Sequence, residues 1–113
     1  MRDWRMYFND ILSSCRKIME YTKGYTKEQF LRDSKTYDAV VRNLEIIGEA
    51  SKKIPKRLRD SQPEIPWKKM AGMRDKLTHA YFGIDIEIIW KVASEEIKQI
   101  KPGILKIQDI LQE

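Results

Sequence analysis

The residues best suited to chemistry fall in one stretch, Trp67-Lys-Lys-Met-Ala-Gly-Met-Arg-Asp-Lys-Leu-Thr-His-Ala-Tyr81, which holds the only histidine of the 113 residues. An imidazole titrates near neutrality, so His79 is suited to moving a proton. The planar guanidinium of Arg74 presents a fork of donors matched to phosphate oxygens. Together they suit acid–base chemistry at an anionic centre whose charge grows in the transition state. Asp75, four residues before His79, is placed to hold one ring nitrogen.

A helix must position these groups. Pro66 suits a first helical position because its missing N–H would be unpaired there anyway, and Met70, Met73, Leu77 and Ala80 then recur at spacings of three and four. That face meets a core. At about 100° per residue Arg74 and His79 lie roughly 140° apart on this wheel, so they converge only if the long arginine curls along the helix near its end. Gly83 and Asp85 predict fraying just after His79, which lets Tyr81 turn toward the same spot.

Arg74-Asp-Lys-Leu-Thr-His79-Ala-Tyr81 matches the R-x-x-x-x-H-x-Y motif of HEPN-domain proteins and resembles the HepT toxins of prokaryotic HepT/MntA toxin–antitoxin pairs. Two further segments resemble that family in the same order, Asp38-Ala-Val-Val-Arg-Asn-Leu-Glu-Ile-Ile-Gly-Glu-Ala50 and Gly83-Ile-Asp-Ile-Glu-Ile-Ile-Trp90. The likeness covers residues 38 to 90. It implies an all-α, up-down HEPN-like bundle of four to five helices and a metal-independent endoribonuclease acting on RNA, with no cofactor. Arg74 and His79 are then the catalytic pair, His79 moving the proton while Arg74 steadies the phosphorane formed by attack of a 2′-hydroxyl. One histidine per chain cannot serve as both acid and base, and the family's answer is a homodimer with two motifs facing one cleft. By the same resemblance Tyr81 matches the position adenylylated by the cognate MntA-like nucleotidyltransferase antitoxin, which implies a toxin of a type VII-like pair.

Composition agrees with a soluble helical domain. At this length one domain, residues 1–113, is expected to bury roughly two thirds of its unfolded surface. Charged residues make up 35% and hydrophobic residues 42%, which supports a packed core rather than disorder. No apolar run approaches the length of a membrane span and the start, Met1-Arg-Asp-Trp-Arg, has no secretory apolar region, so a cytoplasmic protein with no membrane partner is expected. A single cysteine, Cys15, excludes an intramolecular disulfide, and one cysteine with one histidine excludes a cysteine/histidine zinc site within one chain. Cys15 sits in an apolar stripe as a small buried thiol.

The net charge is +5, yet nine basic against three acidic residues between Lys52 and Lys76 give that segment +6 and leave −1 elsewhere. Its position beside Arg74 and His79 favours a polyanion-facing surface over a merely solvated one, with Lys68, Lys69 and Lys76 as RNA contacts. Trp67 either stacks a base or packs against its neighbours.

The remaining elements follow from apolar period and caps. A first helix over Asp3 to Tyr21 carries Trp4, Tyr7, Phe8, Ile11, Leu12, Cys15, Ile18 and Met19 on one stripe. Lys23-Gly24 ends it, and Thr26-Lys-Glu-Gln29 reads as a capping box for a short helix through Arg32. Asp33 or Ser34 then caps a helix over Lys35 to Lys53, which buries Tyr37, Val40, Val41, Leu44, Ile47 and Ser51 and uses Gly48 for close helix approach. A narrower strip of Ala39, Ile46 and Ala50 points elsewhere and is a candidate dimer surface. Asp38, Arg42, Glu45 and Glu49 form a polar stripe that is either an exposed ladder of ion pairs or, following the family, the source of a glutamate, Glu45 or Glu49, that orients Arg74 or His79. Lys56 to Asp60 adds one turn and Ser61-Gln-Pro63-Glu-Ile-Pro66 a loop. After an Asp85 cap, apolar residues from Ile86 to Leu111 keep their rhythm across Pro102-Gly103, predicting one kinked helix or two nearly collinear ones.

Two rivals remain on sequence grounds. One is a non-catalytic nucleotide- or RNA-binding module that partners a nucleotidyltransferase. The other is a structural dimer whose basic segment confers only solubility.

Overall fold

A computed structural model describes residues 3–79 and 85–112, with the side chains of 78, 79 and 110–112 outside the description. Local sequence sets the first turns. Asp3 caps α1 (Trp4–Thr22) by accepting from the Arg5 N–H, and Gly24, at a φ of 76°, makes the left-handed turn that ends it. Thr26 and Gln29 exchange side-chain and backbone hydrogen bonds at 3.1 and 2.9 Å, the expected capping box at the start of α2 (Lys27–Arg32).

Asp33 resolves the choice of cap for α3 (Ser34–Lys52). Its carboxylate accepts from the Thr36 N–H at 3.1 Å, the Thr36 hydroxyl at 2.7 Å and the Tyr25 hydroxyl at 2.6 Å. These bonds, the one from Tyr25 foremost, draw its carboxyl down to about 2. One residue thus caps α3 and ties it to the turn before α2.

Lys53 closes α3, and Pro55 leads into α4 (Lys56–Ser61). The proline-bearing loop delivers the chain to α5 (Trp67–His79), where the Pro66 carbonyl accepts from Met70. Pro66 therefore precedes the helix by one position instead of occupying its first. Met70 is buried, and Met73 and Leu77 pack partly buried against the core. Ala80, Tyr81 and Gly83, and with them the expected fraying and turning after His79, lie outside the described residues.

From Ile86 the helix runs on through α6 (Ile86–Lys91), a π-helical turn (Val92–Glu96) and α7 (Ile97–Gln112), with Pro102 inside α7. The Ile97 N–H donates to the Val92 carbonyl, five residues back. That widened turn sets both Val92 and Ala93 into the core and returns Ile97, Ile100, Ile104 and Ile107 to the same face. Next to Pro102, Gly103 admits the buried side chain of Ile65, whose Cδ1 would lie 2.6 Å from a Cβ there.

The described residues form an all-α bundle. Four long rods, α1, α3, α5 and the 86–112 helix, fall within the expected number, joined by the short helices α2 and α4. α1 packs on α3 and α7, and α3 packs in turn on α5, so α3 stands between two neighbours. That position corrects one expectation: Ala50 does not point away but is buried in the chain's own core, because α1 and α5 cover both sides of α3, while Ala39 and Ile46 are half-buried.

The α3–α5 crossing brings backbone close to backbone. A Cβ on Gly48 would lie 2.2 Å from the Arg74 Cβ and 2.8 Å from the Met70 carbonyl oxygen. Backbone cannot move aside cheaply, so Gly48→Ala is expected to destabilise the protein by about 1–3 kcal/mol despite the better helix propensity of alanine, read as a lower urea midpoint. Asp33 gives a pH test. Its folded carboxyl lies below the ordinary 3.8, so its contribution is present above about pH 4 and lost as pH falls toward about 2. The stability gap between wild type and Asp33→Asn should therefore close over that interval in urea titrations.

Candidate active site

Gly48 sets the site by bringing α5 against α3, so that Arg74 emerges beside the next residue of α3, Glu49. The Arg74 Nε lies 3.2 Å from Glu49 Oε2, and its Nη1 donates to Asp75 Oδ1 at 3.2 Å. Asp75 Oδ1 accepts as well from Lys52 Nζ at 2.7 Å. Lys52 first and Arg74 second hold the Asp75 carboxyl below the usual carboxylate range. A chain of alternating charge, Lys52–Asp75–Arg74–Glu49, thus crosses from α3 to α5 and back.

The Arg74 side chain is 29% exposed, partly shielded yet open to solvent. It lies on a groove of about 390 Å³ that Tyr7 and Asp10 of α1 line together with Glu45 and Glu49 of α3. Of the two glutamates read as orienting residues, Glu49 carries the contact to Arg74, whereas Glu45 pairs with Arg42 at 3.7 Å on the same groove. Asp75 engages Lys52 and Arg74, and the contact expected between it and the His79 ring falls outside the described residues. His79 closes α5 as described, five residues beyond Arg74; its side chain and all of Tyr81 lie outside the described residues.

The lysines separate. Lys68 and Lys76 are exposed, while Lys69 is held by Glu96 of the π-helical turn. Trp67 is half-buried and its indole N–H donates at 3.1 Å to the carbonyls of Arg59 and Gln62, so packing against neighbours accounts for its ring edge. Burial pushes the Cys15 thiol up to about 12, which fits an inert core residue.

Sequence reasoning missed Tyr7 and Asp10. They sit some sixty residues from the motif, and local sequence reads Tyr7 only as part of the apolar stripe of the first helix and Asp10 only as a polar residue beside it. Lys52 was equally hidden as the partner of Asp75, since its role arises only when α5 crosses the end of α3.

This arrangement sets a partly exposed guanidinium, steadied by two carboxylates, one helical turn and a half before a histidine. The family model described as "Ribonuclease HepT-like" matches residues 11–107. The chain is 48% identical over 107 residues to a Thermococcus cleftensis protein named "Probable ribonuclease HepT", covering 95% of this chain and 97% of that one. It is 46% identical to a relative from Methanocaldococcus jannaschii and 43% identical to one from Caldanaerobacter subterraneus subsp. tengcongensis, both provisionally named RNases, each over 112 residues covering 99% of this chain and 97% of the relative. No solved structure gives a significant match. The motif, the helical architecture and these relatives agree, and the chain belongs to the HepT-like ribonuclease family.

Proposed function

We propose that this protein is a metal-independent endoribonuclease toxin of a type VII-like toxin–antitoxin pair, one HEPN-like domain over residues 1–113 that works as a homodimer. The observation that carries the reading is the carboxylate-held Arg74 five residues before His79, in a chain of the HepT-like ribonuclease family.

The chemistry requires no metal in principle. The 2′-hydroxyl of the RNA attacks the adjacent phosphorus, its proton passing to one imidazole. The bond from phosphorus to the 5′-oxygen breaks, and that oxygen takes a proton, giving a 2′,3′-cyclic phosphate and a 5′-hydroxyl. Arg74 stabilises the charge that gathers on the phosphorane oxygens. Glu49 and Asp75 fix the arginine fork so that less side-chain freedom is lost when the phosphate arrives. A second His79, from the other subunit, supplies the second proton-transfer group. The half-buried Ala39 and Ile46 on α3 lie on the face we assign to that contact.

Tyr81, two residues past His79, is the acceptor we assign for an adenylate from a cognate nucleotidyltransferase antitoxin. A bulky anion there fills the cleft and competes for Arg74. The basic segment, with Lys68 and Lys76 exposed, favours RNA as the polyanion.

Two experiments test this reading. With EDTA present, wild type should cleave single-stranded RNA, and His79→Ala should be slower by about 10²-fold or more, the usual range for losing a general acid or base. Equal rates, or no cleavage by either, remove the nuclease assignment. Coexpression with the genomically adjacent nucleotidyltransferase should add the mass of an adenylate to wild type. The same addition on Tyr81→Phe rejects Tyr81 as acceptor.

A further inference from the structure

A second basic site lies away from the Arg74 groove. The end of α4, the proline loop and the start of α5 enclose a shallow groove of about 760 Å³ whose wall includes Arg59, Pro63, Trp67 and Lys68. Its charges are unevenly matched. Asp60, its one acid, is taken by Lys56 at 2.8 Å, and Lys69 is taken by Glu96. Arg59 and Lys68 have no ion-pair partner among the described residues, and the Arg59 Nε is buried without a hydrogen bond. Trp67, its N–H held by the Arg59 and Gln62 carbonyls, adds an anchored aromatic ring to the same wall. Unmatched cations around an anchored aromatic suit a phosphodiester with its base.

This groove also points toward the catalytic pair. On α5, Lys68, Gly72, Asp75 and the position of His79 are spaced by four, three and four residues and so fall on one stripe. At 1.5 Å per residue His79 stands about 16 Å beyond Lys68, a gap of two or more nucleotides. Midway, a Cβ on Gly72 would meet nothing within 4 Å. Glycine within a helix is destabilising relative to alanine, and none of the described neighbours needs the space. Asp75, the one acid on the stripe, already faces Lys52 and Arg74, so its charge is locally balanced.

We propose that the groove walled by Arg59, Trp67 and Lys68 is a second RNA-contact site that holds a phosphodiester of the substrate strand, which then passes over Gly72 to reach Arg74 and His79. This rests on the ribonuclease reading and adds to it a defined path for single-stranded RNA.

The test measures binding of a fluorescent single-stranded RNA to the full-length His79→Ala protein, which keeps the probe intact. Adding Arg59→Gln and Lys68→Gln should weaken binding and lower the slope of log affinity against log salt by about 1.4, two phosphate contacts of a single strand. Removing equal charge from the exposed face of α1, with Arg16→Gln and Lys17→Gln, should leave the slope unchanged. Gly72→Phe, entering open space, should retain cooperative thermal unfolding but lose affinity. If His79→Ala binds no RNA, the ribonuclease reading falls and this site with it. If it binds, but the groove pair leaves affinity and slope unchanged or the α1 pair costs as much, the groove is rejected while that reading stands. A change of oligomeric state in Gly72→Phe with RNA binding intact rejects the path in favour of a second copy on that face.

Discussion

Everything about the site depends on two helices meeting at backbone distance. Helix pairs normally stand 8–10 Å apart because side chains keep them there. At Gly48 no side chain intervenes, and the Arg74 Cβ occupies the volume that one would fill. The arginine therefore leaves α5 at a fixed height against α3, and the residue after the glycine, Glu49, meets its Nε. A larger residue at position 48 would part the helices and the ion pair together. Fold and site thus share a single constraint, and the glycine placed for packing also sets the register between carboxylate and guanidinium.

The ion pairs that result are not what holds the bundle together. Exposed or half-exposed pairs contribute from nothing to about 1 kcal/mol each, whereas burying one large aliphatic side chain contributes roughly 1.5–3 kcal/mol. The buried isoleucines of these helices, Ile11 and Ile18 of α1, Ile47 of α3 and Ile89, Ile97, Ile100, Ile104 and Ile107 of the 86–112 helix, carry the stability. The charge chain from Lys52 to Glu49 is better understood as geometry. Arg74 has a long, flexible side chain, and two carboxylates at 3.2 Å on Nε and Nη1 restrict where its fork can point. The arrangement also tempers the site, since two nearby negative charges reduce the attraction an isolated arginine would exert on any passing anion.

Much of this was legible in the sequence because local rules decide it. The capping box at Thr26, the Gly24 turn, the rods of α1 and α3 and the helix after Asp85 follow from residues within one or two turns of each other. Gly48 was legible as a close approach, and Glu49 as one of two glutamates able to orient the arginine. Failures came where a distant element decides the outcome. Ala50 read as part of an outward strip because one helix cannot show that it has neighbours on two sides. The π-helical turn at Val92–Glu96 left no mark because the apolar rhythm tolerates one extra residue, with Val92 and Ala93 both taken into the core. Lys52 was likewise not legible as a partner of Asp75, because only the crossing of α5 over the end of α3 supplies it.

The same distinction applies to charge. Counting residues makes 52–76 uniformly basic, but the fold spends much of that excess internally. Lys52 goes to Asp75, Lys56 to Asp60, Lys69 to Glu96 and Arg74 to Glu49 and Asp75, which leaves Lys53, Arg57, Arg59, Lys68 and Lys76 without an ion pair among the described residues. Except for Lys56, which pairs within α4, the paired cations lie where elements meet and fix geometry there, and the unpaired ones lie at the end of α3 or on α4 and α5. A polyanion approaching this protein meets the second set first. Long-range attraction therefore belongs to those five residues, while Arg74, already flanked by carboxylates, acts at contact distance where its fork geometry rather than its charge discriminates.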